Sequence, residues 1–250
     1  MSDAPTPWRV AFPAVCDWDG ALEIGTVPDL LAKGAAGRGD APAFDFRERK
    51  ISYGAFARDV ERLAGGFAQA GVRRGEAVAL LAPNTPWHPL CFFALTRLGA
   101  RVVHVSALDA RREVTHKLRA TGAKRLVATN LPGFLPTALD QLDAGVVREL
   151  FVGDDSRWGS GEAAPLAMPA REGVRALDDM FSDAPLTAPP PSPDDVALLQ
   201  FTGGTTGLPR AAQLTHANLT AAVGMYRLWR DGGRPLIAGR ERTVAMLPLF

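Results

Sequence analysis

The sequence predicts an α/β fold of doubly wound, mostly parallel sheets with flanking helices. Three observations lead there. Between residues 53 and 128, helical apolar stripes alternate with short strand-like runs, of which Ala77–Leu81 is apolar throughout. The stripes stop at glycines, at Gly71, Gly99 and Gly122. The apolar runs lack the in-out alternation of a half-solvated sheet, as expected of parallel strands covered on both faces.

The elements follow in order. Residues 1–29 are rich in Pro, Trp and Asp, show no clear period, and read as an irregular segment draped on the core. Residues 43–51 suit a short hairpin turning at Arg47-Glu48-Arg49. From Tyr53, the positions Phe56, Val60, Leu63, Ala64 and Phe67 form one helical stripe, with Arg58, Asp59, Glu61 and Arg62 off it. Ala77–Leu81 is a buried strand. Thr85-Pro86 reads as an N-cap and first helical residue, ahead of an apolar face of Leu90, Cys91, Ala94, Leu95 and Leu98. A strand at 101–105, a helix at 111–120 and a strand at 124–128 complete the alternation.

Order weakens after Val152. Residues 153–195 are rich in Gly, Pro, Ser and Asp, with one short helical patch near 174–181. The stretch Ala188-Pro-Pro-Pro-Ser-Pro193 is stiff and extended, and reads as a connector. It divides the chain into an N-terminal α/β subdomain, 1–188, and the start of a second, 189–250. Beyond it come a buried strand at 196–201, a loop at 202–209, a short strand at 210–214, a helix with face Leu219, Ala222, Val223 and Tyr226, and a strand beginning at 243–247. The sequence stops inside an apolar element, which predicts a piece of a longer protein.

Composition excludes several function classes. The 250 residues carry 28 Lys+Arg against 27 Asp+Glu, so no net field draws the chain to nucleic acid or an anionic membrane. Two cysteines, Cys16 and Cys91, give neither a disulfide framework nor metal-ligand spacing, and suit a reducing cytosol. No run reaches the roughly 20 apolar residues of a membrane-spanning helix. The expected location is cytoplasmic, with peripheral membrane contact left open. His88, His104, His116 and His216 lack HxxxH spacing, so no metal site is predicted. His216 either orients the preceding loop or starts a helix in the core.

The chemistry concentrates in Thr202-Gly203-Gly204-Thr205-Thr206-Gly207-Leu208-Pro209-Arg210. Glycines let successive N–H groups turn towards one point, a concave array that binds an anion. Thr202, Thr205 and Thr206 add hydroxyl donors, and Arg210 adds a cationic fork suited to phosphate oxygens. A glycine-rich hairpin turn is the plainer alternative. No Gly-Lys-Ser/Thr follows, and a strand precedes the next helix, so this is not a Walker A loop.

The stretch resembles the phosphate-loop signature of the adenylate-forming superfamily: acyl- and aryl-CoA ligases, luciferases and nonribosomal peptide adenylation domains. The resemblance extends to residues 51–103, to 193–207, to Leu214-Thr-His-Ala-Asn-Leu219, and to 246–250, which is similar to the start of an acyl-pocket motif. It implies that the backbone of Gly203, Gly204 and Gly207, the three threonines and Arg210 hold the β- and γ-phosphates of ATP with Mg2+. A fatty or dicarboxylic acid would attack the α-phosphorus, and coenzyme A would then displace AMP. Phe250 is the residue expected to reach the acyl substrate. Arg210 stands where the family commonly has Lys, Ala211 replaces a frequent glycine, and residues 104–108 replace an Asn-Pro turn. The adenine, metal and adenylation-lysine motifs would lie beyond residue 250, so no catalytic residue is named and the 250 residues alone are predicted inactive. An aryl-CoA ligase, a carrier-protein-loading domain, and a non-catalytic nucleotide- or partner-binding module remain alternatives. Oligomeric state is not legible.

Overall fold

The computed structural model describes residues 16, 18–161, 163–202, 209–233, 241–247 and 249, with the backbone alone for 231–233. The first element is helix α1, Val27–Ala35, which begins inside the segment expected to be irregular up to residue 29. Its capping box explains the correction. Thr26 and Asp29 satisfy each other's backbone N–H groups, and Pro28 fits the first turn.

The hairpin follows as β1, Pro42–Phe46, and β2, Arg49–Ser52. Arg47 and Glu48 both take positive φ, 48° and 64°, as a two-residue turn matching the strand twist requires. Helix α2, Tyr53–Gln69, buries the predicted stripe of Phe56, Val60, Leu63, Ala64 and Phe67. Fully burying a side chain such as Leu63 or Phe67 contributes about 1.5–3 kcal/mol. Gly66 on the same helix is needed for close approach, because a Cβ there would lie 1.7 Å from the Met180 carbonyl oxygen.

The central sheet is built from β3, Ala77–Leu81; β4, Arg101–His104; β5, Arg125–Thr129; β6, Glu149–Gly153; β7, Val174–Ala176; β8, Val196–Thr202; and β9, Arg210–Thr215. Its order is β7-β6-β5-β3-β4-β8-β9, parallel except for β9. The linking helices are α3, Trp87–Arg97; α4, Arg111–Thr121; and α5, Leu135–Asp143. Leu80, Val102, Val127 and Phe151 face the side covered by α2 and α3. Leu81, Val103, Leu126 and Val152 face the side covered by α4 and α5. Because both faces are covered, the middles of these strands are apolar on both sides, with Arg101, Arg125 and Glu149 at their starts.

Several expectations change in detail. A helix at Leu135–Asp143 and a strand at Glu149–Gly153 add to those read from sequence. The patch near 174–181 is strand β7 followed by a 3-10 turn, Leu177–Met180. Thr85 is not the cap of α3: Pro86 occupies that position, and the Thr85 hydroxyl is buried with no partner among the described residues. The boundary expected between residues 188 and 189 falls within one sheet, since β8 pairs with β4. The final helix, α6, is His216–Gly233; it turns His216 and Thr220 inward and leaves Val223 and Tyr226 exposed, so the predicted face is rotated. Residues 243–247 form no strand; they have no neighbouring strand among the described residues to pair with. Among the described residues no helix is long and apolar enough to cross a membrane.

Candidate functional site

Parallel strands gather their C-terminal ends on one edge of the sheet, where open α/β folds bind ligands. Here that edge carries the residues after β3, the end of β4 and the end of β8. Asn84, just past β3, donates its side-chain amide to the carbonyls of Ala245 (3.0 Å) and Leu247 (2.7 Å) and accepts from the Leu249 N–H (3.0 Å). The segment preceding Phe250 is thus tied to this edge, while Phe250 itself lies outside the described residues.

The candidate phosphate loop joins β8 to β9. These strands are antiparallel, and Thr202 faces Arg210 across the rung at the loop's mouth. Gly203, Gly204, Thr205, Thr206 and Gly207 lie outside the described residues, so the structure locates the loop by its two ends. Arg210 is exposed and lines a cleft of about 560 Å³ with His116, Phe201, Pro209, Gln213 and Arg101. No ion pair to Arg210 occurs among the described residues, which leaves its guanidinium available to an anion.

A residue that sequence reasoning did not assign sits behind the loop. His116, on α4, donates from Nε2 to the Pro209 carbonyl at 3.0 Å. Its ring meets the Phe201 ring edge-on at 6.2 Å. The next residue, Lys117, holds its ammonium 5.5 Å from the Phe201 ring centre and pairs with Asp109. Nothing local in the sequence signals the His116 contact, because its partner is 93 residues away.

The other histidines divide by environment. His104, at the end of β4, donates from Nδ1 to Gln200 Oε1 on β8 at 3.1 Å, and its Nε2 is buried without a partner among the described residues. The His88 ring stands 5.2 Å away, with Nδ1 bonded to the Ala82 carbonyl. Burial, then the neighbouring His88, pushes the His104 pKa down to about 4, and burial lowers His88 as well. Both are therefore neutral at pH 7. His216 takes the core and helix-start role: it is fully buried and Nδ1 accepts from the Val27 N–H at 3.0 Å, joining α6 to α1. Burial lowers its pKa against the opposing pull of Asp195 and Asp29. Trp87 packs in the core against Trp158, and Phe92 lies against His104.

Among the described residues, no group of three or more His, Cys, Asp or Glu could hold a metal ion. The described residues place the two ends of the candidate loop, Thr202 and Arg210, at a strand-end edge beside the cleft that Arg210 lines.

Residues 31–250 match the family described as AMP-binding enzyme. A crotonobetaine/carnitine–CoA ligase from Escherichia coli O1:K1 is 33% identical over 184 residues, which cover 72% of this chain and 33% of that protein. The chain thus spans about a third of the length of the curated relatives it matches. Among solved structures, an anthranilate CoA ligase in complex with anthranoyl-AMP superposes with a TM-score of 0.65 at 24% identity, covering 80% of this chain and 36% of that one. A long-chain-fatty-acid–CoA ligase from Archaeoglobus fulgidus gives 0.65 at 24% identity, covering 84% and 39%. At that identity the superpositions speak for the fold.

Proposed function

This chain belongs to the AMP-binding enzyme family, and from that premise we propose that it forms the N-terminal part of an acid–thiol ligase and holds the phosphates of ATP. One observation carries the reading: Thr202 and Arg210 meet across a single rung at the C-terminal edge of a parallel sheet, with the Gly-Thr-rich segment closed between them.

In this reading the N–H groups of Gly203, Gly204 and Gly207 and the hydroxyls of Thr202, Thr205 and Thr206 hold the β- and γ-phosphates. Arg210 neutralises part of their charge. The substrate carboxylate attacks the α-phosphorus, the bond to pyrophosphate breaks, and an acyl-adenylate forms. The thiol of coenzyme A then displaces AMP to give the thioester. What this chain contributes is positioning and charge neutralisation rather than acid–base chemistry. Magnesium would enter with ATP, because the described residues supply no metal centre of their own.

A fatty or dicarboxylic acid is the proposed substrate, and the 250 residues alone are proposed to lack turnover. The test is carboxylate-dependent ATP–pyrophosphate exchange by the full native chain. The panel should include fatty, dicarboxylic and aryl acids, with crotonobetaine and carnitine added because relatives are named for them. Thr206→Ala combined with Arg210→Ala is expected to weaken ATP binding by about 100-fold, the scale of losing one charge-assisted and one neutral hydrogen bond. Unchanged ATP affinity in that variant would mean that the loop does not hold the nucleotide. Exchange by the isolated 250 residues would overturn the expectation of inactivity.

A further inference from the structure

We infer that His116 is a positioning residue for the phosphate loop, acting through the Pro209 carbonyl. The inference rests on the loop reading above and adds a residue to it.

The geometry is specific. The peptide unit between Pro209 and Arg210 carries the carbonyl that His116 holds and the N–H of Arg210 itself. Because the unit is planar, fixing that carbonyl fixes the direction in which the chain enters Arg210. Proline adds rigidity on the other side, since its ring locks φ near −65°. A carbonyl can only accept, so the imidazole carries its proton on Nε2.

The same helix also grips the opposite arm of the hairpin. The ring of Phe201, one residue before Thr202, packs against both His116 and the Lys117 ammonium. Lys117 is in turn held by Asp109, and both side chains are largely buried, 11% and 15% exposed. Asp109 also accepts from the Ser106 N–H at 2.9 Å, which fixes the turn between β4 and α4. Two consecutive residues of α4 thus reach both arms of the hairpin, at Phe201 one residue outside the Thr202–Arg210 rung and at Pro209 one residue inside it. Helix α4 is packed on the sheet by Val114 and Leu118, so it offers a rigid support.

Three substitutions in the full chain separate the possibilities. His116→Phe keeps the ring and removes the donor. His116→Asn is polar but too short to reach Pro209. His116→Gln restores a donor at similar reach. Magnesium-ATP affinity by calorimetry, and KM and kcat in the exchange assay, are read for each. In Phe and Asn the affinity is expected to fall about five- to tenfold, with KM for ATP rising in step, the factor for one hydrogen bond. The expected kcat change is below about twofold, with Gln recovering most of the loss and thermal midpoints staying within about 3 °C. Unchanged ATP affinity in Phe and Asn, or an equal loss in Gln, would overturn the inference. Arg210→Ala in the same assay separates the two levels. If it also leaves ATP affinity intact, the loop reading has failed. If it alone weakens binding, only the role of His116 has failed.

Discussion

The two edges of the central sheet are built on opposite plans. Where the parallel strands begin, charges are paired. Arg125 donates to Glu149 at 2.8 Å, to Glu76 and to the Ala70 carbonyl, and Glu149 also takes Arg175 at 2.6 Å. Arg101 donates to the Gly75 carbonyl at 2.7 Å. Where the strands end, the Thr85 and Thr129 hydroxyls and His104 Nε2 are buried with no partner among the described residues. The contrast is one of charge: ion pairs gather where the strands begin, and single buried hydroxyls and an imidazole nitrogen stand where they end. A sheet can be anchored at one edge and kept for binding at the other.

Breaking the closed edge should cost most. Arg125→Met takes from Glu76 its hydrogen-bonded arginine and leaves Glu149 with Arg175 alone, and is expected to destabilise the fold by about 3–5 kcal/mol in denaturant unfolding. ATP affinity should hold in the folded fraction, because the change lies at the far edge. A loss below about 1 kcal/mol would mean that the pairs are ornaments of the surface.

The next effect comes from acid acting on the open edge. The His104 imidazole titrates near 6.5 when unfolded and near about 4 in the fold. Between those values the unfolded chain holds the extra proton. Stability is therefore complete above about pH 7 and falls as pH drops towards 4, by on the order of 3 kcal/mol for this residue. His88 and His216 act in the same direction. Urea unfolding across pH 7 to 4 should show the decline, and His104→Gln should flatten it. An unchanged slope in that variant would place the titration elsewhere.

The smallest expected effect sharpens the contrast. Thr129→Val removes a hydroxyl that has no partner among the described residues and keeps the shape, so stability should move by no more than about 0.5 kcal/mol or rise. A loss above about 1.5 kcal/mol would reveal a partner for the hydroxyl and weaken the distinction between the edges.

The sequence made some of this plain. Each apolar residue of the 56–67 stripe falls on one helical face, and the runs read as strands at 77–81, 101–105 and 124–128 are strands covered on both sides. The region 174–181 misled because Val174, Leu177 and Met180 recur every third residue, a spacing shared by a 3-10 turn and a helix. The Thr26–Asp29 capping box was legible but lay in a stretch without apolar period. For the proposed site, the candidate loop is nine consecutive residues, whereas the contacts at its ends are not local in sequence. His116 meets Pro209 only after β4, α4 and β8 have assembled, and no local spacing encodes that contact.

The strand order also sets a timetable for synthesis. β4 pairs with β3 on one side and with β8 on the other, yet β8 follows it by about ninety residues of chain. At roughly 5–20 residues per second, a ribosome takes on the order of 5–20 seconds to deliver that partner. During the interval the nascent sheet presents the bare backbone of Arg101–His104 as an edge, the kind of template to which another chain can pair. The arrival of the strand that leads into the proposed phosphate loop is thus also the step that covers this edge against its neighbours on the polysome.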